Sequence, residues 1–170
     1  MSGETISVQV NGRLYTRSVD ARLLLSDFLR HSLGLTGTHV GCEHGICGVC
    51  TIMVNGHSAR SCLMFAVQTD GCSITTVEGL GTMDNMHIIQ QAFQENHGLQ
   101  CGFCTPGMLM TCVDILNRHP VQTDEEIRDG LSGNLCRCTG YQSIVESVRW
   151  ARDRWPATDD ASLINVRDVS

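Results

Sequence analysis

The sequence predicts an α+β chain, a β-rich first half joined to a helical second half. Three observations carry this: a period-two alternation from Thr5 to Val10 closed by Asn11-Gly12, a change to a 3.6-residue period from Asp84 onward, and a glycine-punctuated boundary, Glu78-Gly79-Leu80-Gly81, between them. Thr5-Ile6-Ser7-Val8-Gln9-Val10 alternates as a half-buried strand does. Asn-Gly accepts positive φ at both central positions of a hairpin turn, so Leu14-Tyr15-Thr16 is expected to return as its partner. Leu24, Leu25, Phe28 and Leu29 recur at helical spacing and stop near Gly34, which predicts an amphipathic helix with a glycine end-cap. A glycine-rich loop from Gly37 to Gly48 leads into a second hairpin: Thr51 to Val54, Asn55-Gly56, and a strand running into Cys62. Ser73 to Val77 is read as a closing strand.

In the second half, Met86, Ile89 and Phe93 share a helical face that Gly98 ends. Thr105-Pro106 sets a cap residue before a proline at the first helical position, and His119-Pro120 must end that helix. Thr123 and Glu126 form a capping box for a short helix stopping at Gly133-Asn134. Ile144, Val148, Ala151 and Trp155 trace a last helix closed by Pro156, giving four helices. The expected division is residues 1–80, residues 81–156 and a polar tail, 157–170, without a clear period.

Halves this small are short of core and need staples, and ten cysteines say that the staples are sulfur-based. The start, Met1 to Thr5, has no basic stretch followed by an apolar run, which predicts no secretory signal and thiols kept reduced in the cytoplasm. No apolar run approaches a membrane span of about 18 residues. A net charge of -6 without a basic stripe excludes nucleic acid, leaving proteins as the expected partners. The chain has no G-x-G-x-x-G, no P-loop and no nucleophile–base motif, so no catalytic residue is assigned.

Cys42, Cys47, Cys50 and Cys62 fall as C-x4-C-x2-C with a fourth cysteine on the next hairpin, the plant-type [2Fe-2S] spacing. Gly41, Gly45 and Gly48 let one loop curl around such a cluster and turn its amides toward the anionic sulfurs. The second set, Cys101, Cys104, Cys136 and Cys138, pairs cysteines at helix ends. One residue between Cys136 and Cys138 is not a standard zinc spacing, and an anionic cluster suits a helix N-terminus, so iron–sulfur is preferred with zinc as the alternative. A Rieske site needs two histidine ligands, and Cys42-Glu43-His44 offers half of one. Cys72, on an expected strand, and Cys112, within a helix, are read as buried thiols without function, and Met108 and Met110 as core and rim residues. Two clusters inside a body with a radius of gyration of about 15 Å are necessarily neighbours.

The runs Gly41-Cys42-Glu43-His44-Gly45-Ile46-Cys47-Gly48-Val49-Cys50, Cys101-Gly102-Phe103-Cys104-Thr105-Pro106-Gly107 and Gly133-Asn134-Leu135-Cys136-Arg137-Cys138-Thr139-Gly140-Tyr141 resemble the small iron–sulfur subunit of molybdenum hydroxylases. The likeness spans about residues 4–155 and matches all eight ligand positions. It implies a β-grasp, plant-ferredoxin-like domain holding the Cys42 cluster and a four-helix-bundle domain holding the Cys101 cluster. It further implies a large subunit with molybdopterin cytosine dinucleotide, met by Cys138 and Gln100, and a medium FAD subunit facing the Cys42 cluster, in an (αβγ)2 complex. Electrons would then pass from molybdenum to flavin through this chain, the substrate being an N-heteroaromatic, an aldehyde or a similar small molecule. A stand-alone two-cluster ferredoxin and a zinc-stapled interaction module are the alternatives. Arg137, a cation between two ligands, either raises a cluster's potential or pairs with a partner's carboxylate; Tyr141 is expected to cap and pack the last helix.

Overall fold

A computed structural model describes residues 3–118 and 123–155. Its first half is a five-stranded sheet in the order β2-β1-β5-β3-β4. The hairpin β1 (Glu4–Val10) and β2 (Arg13–Val19) turns on Asn11 and Gly12, both at positive φ, as the dipeptide requires. Asn55 and Gly56 turn β3 (Thr51–Val54) into β4 (His57–Arg60) in the same way. The closing strand β5 (Ser73–Thr75) runs parallel to β1 and antiparallel to β3, joining the two hairpins. The alternation of β1 puts Ile6, Val8 and Val10 into a core with Leu25, Phe28, Leu29, Ile52 and Ile74.

Several local expectations need correction. The first helix is short: α1 (Leu25–Asp27) passes into a π-helical segment, Phe28–Ser32, before Gly34 at positive φ. The widened turn buries Phe28 and Leu29 side by side under the sheet. Cys62 lies not on a strand but in a 3-10 turn, Ser61–Leu63, beyond the end of β4. Val77 has left β5 for another such turn, Val77–Gly79. Cys72 precedes β5 and is half-buried, its sulfur accepting from Asn55 Nδ2 at 3.6 Å.

The second half has the four expected helices: α2 (Ile88–Glu95), α3 (Thr105–Arg118), α4 (Asp124–Leu131) and α5 (Gln142–Arg152). His87 caps α2: its ring nitrogen accepts from Ile89 N at 3.3 Å while Gln90 Oε1 accepts from His87 N at 2.8 Å. The Thr123–Glu126 capping box opens α4 as expected. Thr105 is the first residue of α3 rather than its cap, and its hydroxyl is buried with no partner among the described residues. Trp155 lies beyond α5, donating from Nε1 to Asn117 Oδ1 at 3.1 Å. The His119-Pro120 stop, Pro156 and the tail, 157–170, fall outside the described residues.

Helix α3 is buried continuously from Gly107 to Ile115, as a helix between two layers must be. Met108, Leu109, Cys112 and Val113 join Ile89, Phe93, Ile127, Ile144 and Val148 in a second core, while Gly107 and Asp114 face the sheet half. Met110 is fully buried, so it is not a rim residue, and Cys112 is the buried thiol expected. The seam between the halves is polar. Buried Asp114 accepts from Ser58 Oγ at 2.7 Å and pairs with Arg118, which also reaches His57.

Candidate metal centres

Between Gly41 and Cys50 the chain has little regular structure of its own, and positive φ at Glu43, Gly45 and Gly48 curls it on itself. The curl turns amides onto sulfur. Cys47 N donates to Cys42 Sγ at 3.4 Å. That bond, with the amides of His44 and Ile46, pulls the Cys42 thiol down from its ordinary 9.0 to about 6. The short turn at Ser61–Leu63 swings Cys62 back over the loop, close enough to hydrogen-bond Cys50 and to feel charge on Cys42. Burial pushes Cys62 up to about 11 and raises Cys47 as well. Cys42, Cys47, Cys50 and Cys62 are thus one group, some sulfurs amide-stabilised as thiolates and others buried as thiols.

The second group is assembled from two segments. Cys104 immediately precedes α3 and its carbonyl accepts from Met108 N, so the helix start fixes it. Cys138 Sγ lies 3.4 Å from Cys101 Sγ, and Cys136 approaches Cys104. Burial, then Cys136, pushes Cys104 up to about 12. Burial opposes ionisation of Cys136, but bonds from Thr139 and the Cys138 amide outweigh it and the thiol is lowered. The Phe103 amide lowers Cys101, while the bond to Cys101 raises Cys138. Tyr141, itself at positive φ, does more than cap α5: its hydroxyl accepts from Cys136 N at 2.9 Å and donates to Asn134 O at 3.0 Å.

Both groups fit a dinuclear cluster on chemical grounds. Each offers four thiols, with backbone N–H groups aimed at sulfur. A Cβ on Gly41 would stand 3.2 Å from Val49 Cγ2 and 3.3 Å from Cys47 Sγ and from Phe103, so the loop packs tightly against its own sulfur there. The unpartnered Thr105 hydroxyl, next in the chain to Cys104, is the orphaned donor that an anionic centre would satisfy. Among the described residues no three His, Cys, Asp or Glu side chains converge around a single ion. Gln100, Cys101 and Cys138 are exposed, whereas Cys50 and Cys62 are buried.

Two family models match the chain: a 2Fe-2S iron-sulfur cluster binding domain over residues 8–71 and a [2Fe-2S] binding domain over residues 76–149. The gamma subunit of caffeine dehydrogenase from Pseudomonas sp. (strain CBB1) is 57% identical over 88% of this chain and 91% of the relative. The chain belongs to the small iron–sulfur subunits of the molybdenum hydroxylases. It is an electron-transfer subunit of an oxidoreductase. The nicotine 6-hydroxylase small subunit of Paenarthrobacter nicotinovorans is 54% identical, covering 84% of this chain and 86% of that one. Among solved structures, quinoline 2-oxidoreductase from Pseudomonas putida 86 superposes with a TM-score of 0.85 at 46% identity, over 90% of this chain and 96% of the matched chain. The family takes the place of the stand-alone ferredoxin and zinc-module alternatives. No described helix is long and apolar enough to cross a membrane.

Residues that sequence reasoning missed are those on the seam. Asn134 is buried, two residues before Cys136, and Arg60 reaches from β4 to Gly133 O at 2.7 Å. Their partners across the seam lie more than 70 residues away in sequence, so no local pattern announces them.

Proposed function

We propose that Cys42, Cys47, Cys50 and Cys62 ligate one [2Fe-2S] cluster in a β-grasp domain, residues 1–80, and that Cys101, Cys104, Cys136 and Cys138 ligate the other in a four-helix-bundle domain, residues 81–156. Each cluster, when bound, takes up and gives back one electron. The chain relays electrons from a large subunit carrying molybdopterin cytosine dinucleotide to a medium subunit carrying FAD, within an (αβγ)2 assembly in the bacterial cytoplasm. The observation that carries this is that the sulfurs of each set interact with one another, Cys62 with Cys50 and Cys42, Cys47 with Cys42 and Cys50, Cys104 with Cys136 and Cys101, and Cys138 with Cys101, the second site opening outward at Cys101 and Cys138. That exposed edge, with Gln100 beside Cys101, is where the molybdenum subunit approaches; the Cys42 loop is directed to the flavin subunit. Ten cysteines with no disulfide among them accord with a reducing compartment. Caffeine, nicotine and quinoline, in the names of the relatives, are N-heteroaromatics, and a substrate of that class is assigned to the complex.

The complex is to be isolated anaerobically through a tag on this chain. About four irons per copy and two reduced-cluster EPR signals are expected, with molybdenum and flavin subunits co-purifying. Cys42→Ser and Cys104→Ser should each abolish one signal and spare the other. Reduction of both signals by an N-heteroaromatic but not by an aldehyde supports the substrate class; the reverse overturns it. Far fewer than about four irons overturns the ligand assignment.

A further inference from the structure

We propose that Asn134 and Arg60 form a positioning clasp that fixes the spacing of the two cysteine sets, and so governs how fast charge crosses the chain. The inference rests on the assignment of two clusters above. The clasp is centred on the carbonyl of Gly48, between Cys47 and Cys50. That oxygen accepts from Thr51 N at 3.2 Å, Thr51 Oγ1 at 2.6 Å and Asn134 Nδ2 at 3.1 Å. On its other side, Asn134 Oδ1 accepts from Thr111 Oγ1 of α3 at 3.0 Å and from Arg60 Nη2 at 3.3 Å. One buried amide therefore touches the first cysteine loop, the central helix and β4 at once, two residues before Cys136.

Arg60 closes the ring. Its Nη2 donates to Gly133 O at 2.7 Å and its Nη1 to Thr51 Oγ1, so the planar fork ties the segment before Cys136 to the residue after Cys50. Leu135 N donates to Cys47 O at 2.9 Å, a fourth bond across the same seam. The backbones could not lie closer. A Cβ on Gly48 would stand 2.4 Å from Gly133 O, and one on Gly107 2.3 Å from Gly48 O. Every member lies on the seam, and Gly48, Thr51, Arg60, Asn134 and Leu135 are each within two residues of a cysteine of one set. A device for stability alone would have no reason to gather there.

The chemistry demands an amide at this position. Asn, itself buried, supplies a donor to one carbonyl and an acceptor to two donors; a carboxylate would face the Gly48 oxygen with no proton to share. Electron tunnelling falls exponentially with distance, so a clasp that holds two sets backbone to backbone controls the rate without touching either donor atom.

The test uses the intact complex with Asn134→Asp, Asn134→Leu and Arg60→Gln. Iron per chain, the g-values of each reduced cluster, the dipolar coupling between them by pulsed EPR, and the rate of intercluster equilibration after rapid reduction are compared. Expected are full iron and unchanged g-values with a weakened or broadened coupling and slower equilibration. Full iron with unchanged coupling and rate in the variants overturns the clasp and leaves the cluster assignment standing. Loss of iron in all three also overturns it, because the residues would then build the sites rather than space them. A shortage of iron in the unmutated complex sinks the assignment itself.

Discussion

Replacing Gly107 by alanine separates two physical expectations of opposite sign. Gly107 is inside α3, where alanine is better than glycine by up to about 1 kcal/mol on propensity alone. The structure reverses that. The added methyl would meet Gly48 O at 2.3 Å, Val49 Cα at 2.7 Å and Val49 C at 2.8 Å, all inside the 3.0 Å that real Cβ contacts respect. All three are backbone atoms of the first cysteine loop and cannot swing away as a side chain would. Overpacking of this kind costs about 1–3 kcal/mol, here toward the upper end, for a net loss of about 2 kcal/mol. In a chain of this length that is a fall of about 4–8 °C in melting temperature. Gly130→Ala in α4 is the control: the three atoms nearest its methyl all belong to the Ile115 side chain, the closest being Cδ1 at 2.7 Å, whose rotation relieves that contact. That variant should be neutral to about 1 kcal/mol more stable. Thermal unfolding of the iron-loaded complex, followed by circular dichroism and bleaching of the visible bands, reads both. A Gly107→Ala protein that melts at or above the parent temperature with full iron would refute the backbone-packed seam.

Thr105→Val keeps shape but removes the buried hydroxyl. A donor to an anionic centre favours its more negative, reduced form, so the midpoint of one cluster should fall and the other stay put in an EPR-monitored redox titration; a rise would count against the argument. Tyr141→Phe strands the Cys136 N–H and should cost about 1–3 kcal/mol, read as a lower melting temperature and faster iron loss to a chelator. In the metal-free chain, Cys42 is depressed from 9.0 to about 6, so its contribution is present above pH 9 and lost as pH falls toward 6. Cys62 and Cys104 are raised to about 11 and about 12, so theirs is present below pH 9 and lost as pH rises through those values. Because every basic side chain other than histidine is arginine, no lysine titration obscures the alkaline limb. Anaerobic melts should show that limb in the parent and a flatter one in Cys62→Ser and Cys104→Ser; equal limbs would contradict the assignment of buried neutral thiols.

The hairpins were legible because Asn11-Gly12 and Asn55-Gly56 carry their conformation locally: positive φ at both positions needs no tertiary help. The same holds for the Thr123–Glu126 box and for C-x4-C-x2-C, where one loop supplies three neighbours. What escaped was set at long range. The leucines from Leu24 onward satisfy a helical period, but packing under the sheet widened their helix into a π turn after three residues. Gly133-Asn134 reads as a helix stop, yet Asn134 serves a carbonyl 86 positions earlier. Tyr141 is an aromatic beside a glycine in sequence and a brace for the Cys136 amide in space.

The two cysteine sets also depend on the fold differently, and this bears on how the chain meets its partners. The Cys42 set is mostly made by one self-curled loop, needing only Cys62 from outside. The Cys101 set joins segments more than 30 residues apart, so it exists only once α3 and α5 have packed and Tyr141 has pinned the loop between them. Each set is bordered by apolar side chains left in the open: Ile46 and Leu63, 61% and 60% exposed, beside the first, and Leu99, Phe103 and Leu135, 40% to 51% exposed, beside the second. Exposed leucine and isoleucine flanking the cysteine sets are poorly placed for a free-standing carrier, since they gain nothing from water. They are well placed for a subunit, where the same docking that buries them dries the approach to each cluster. The exposed edge at Cys101 and Cys138 is therefore a surface waiting for its neighbour rather than a defect in the fold.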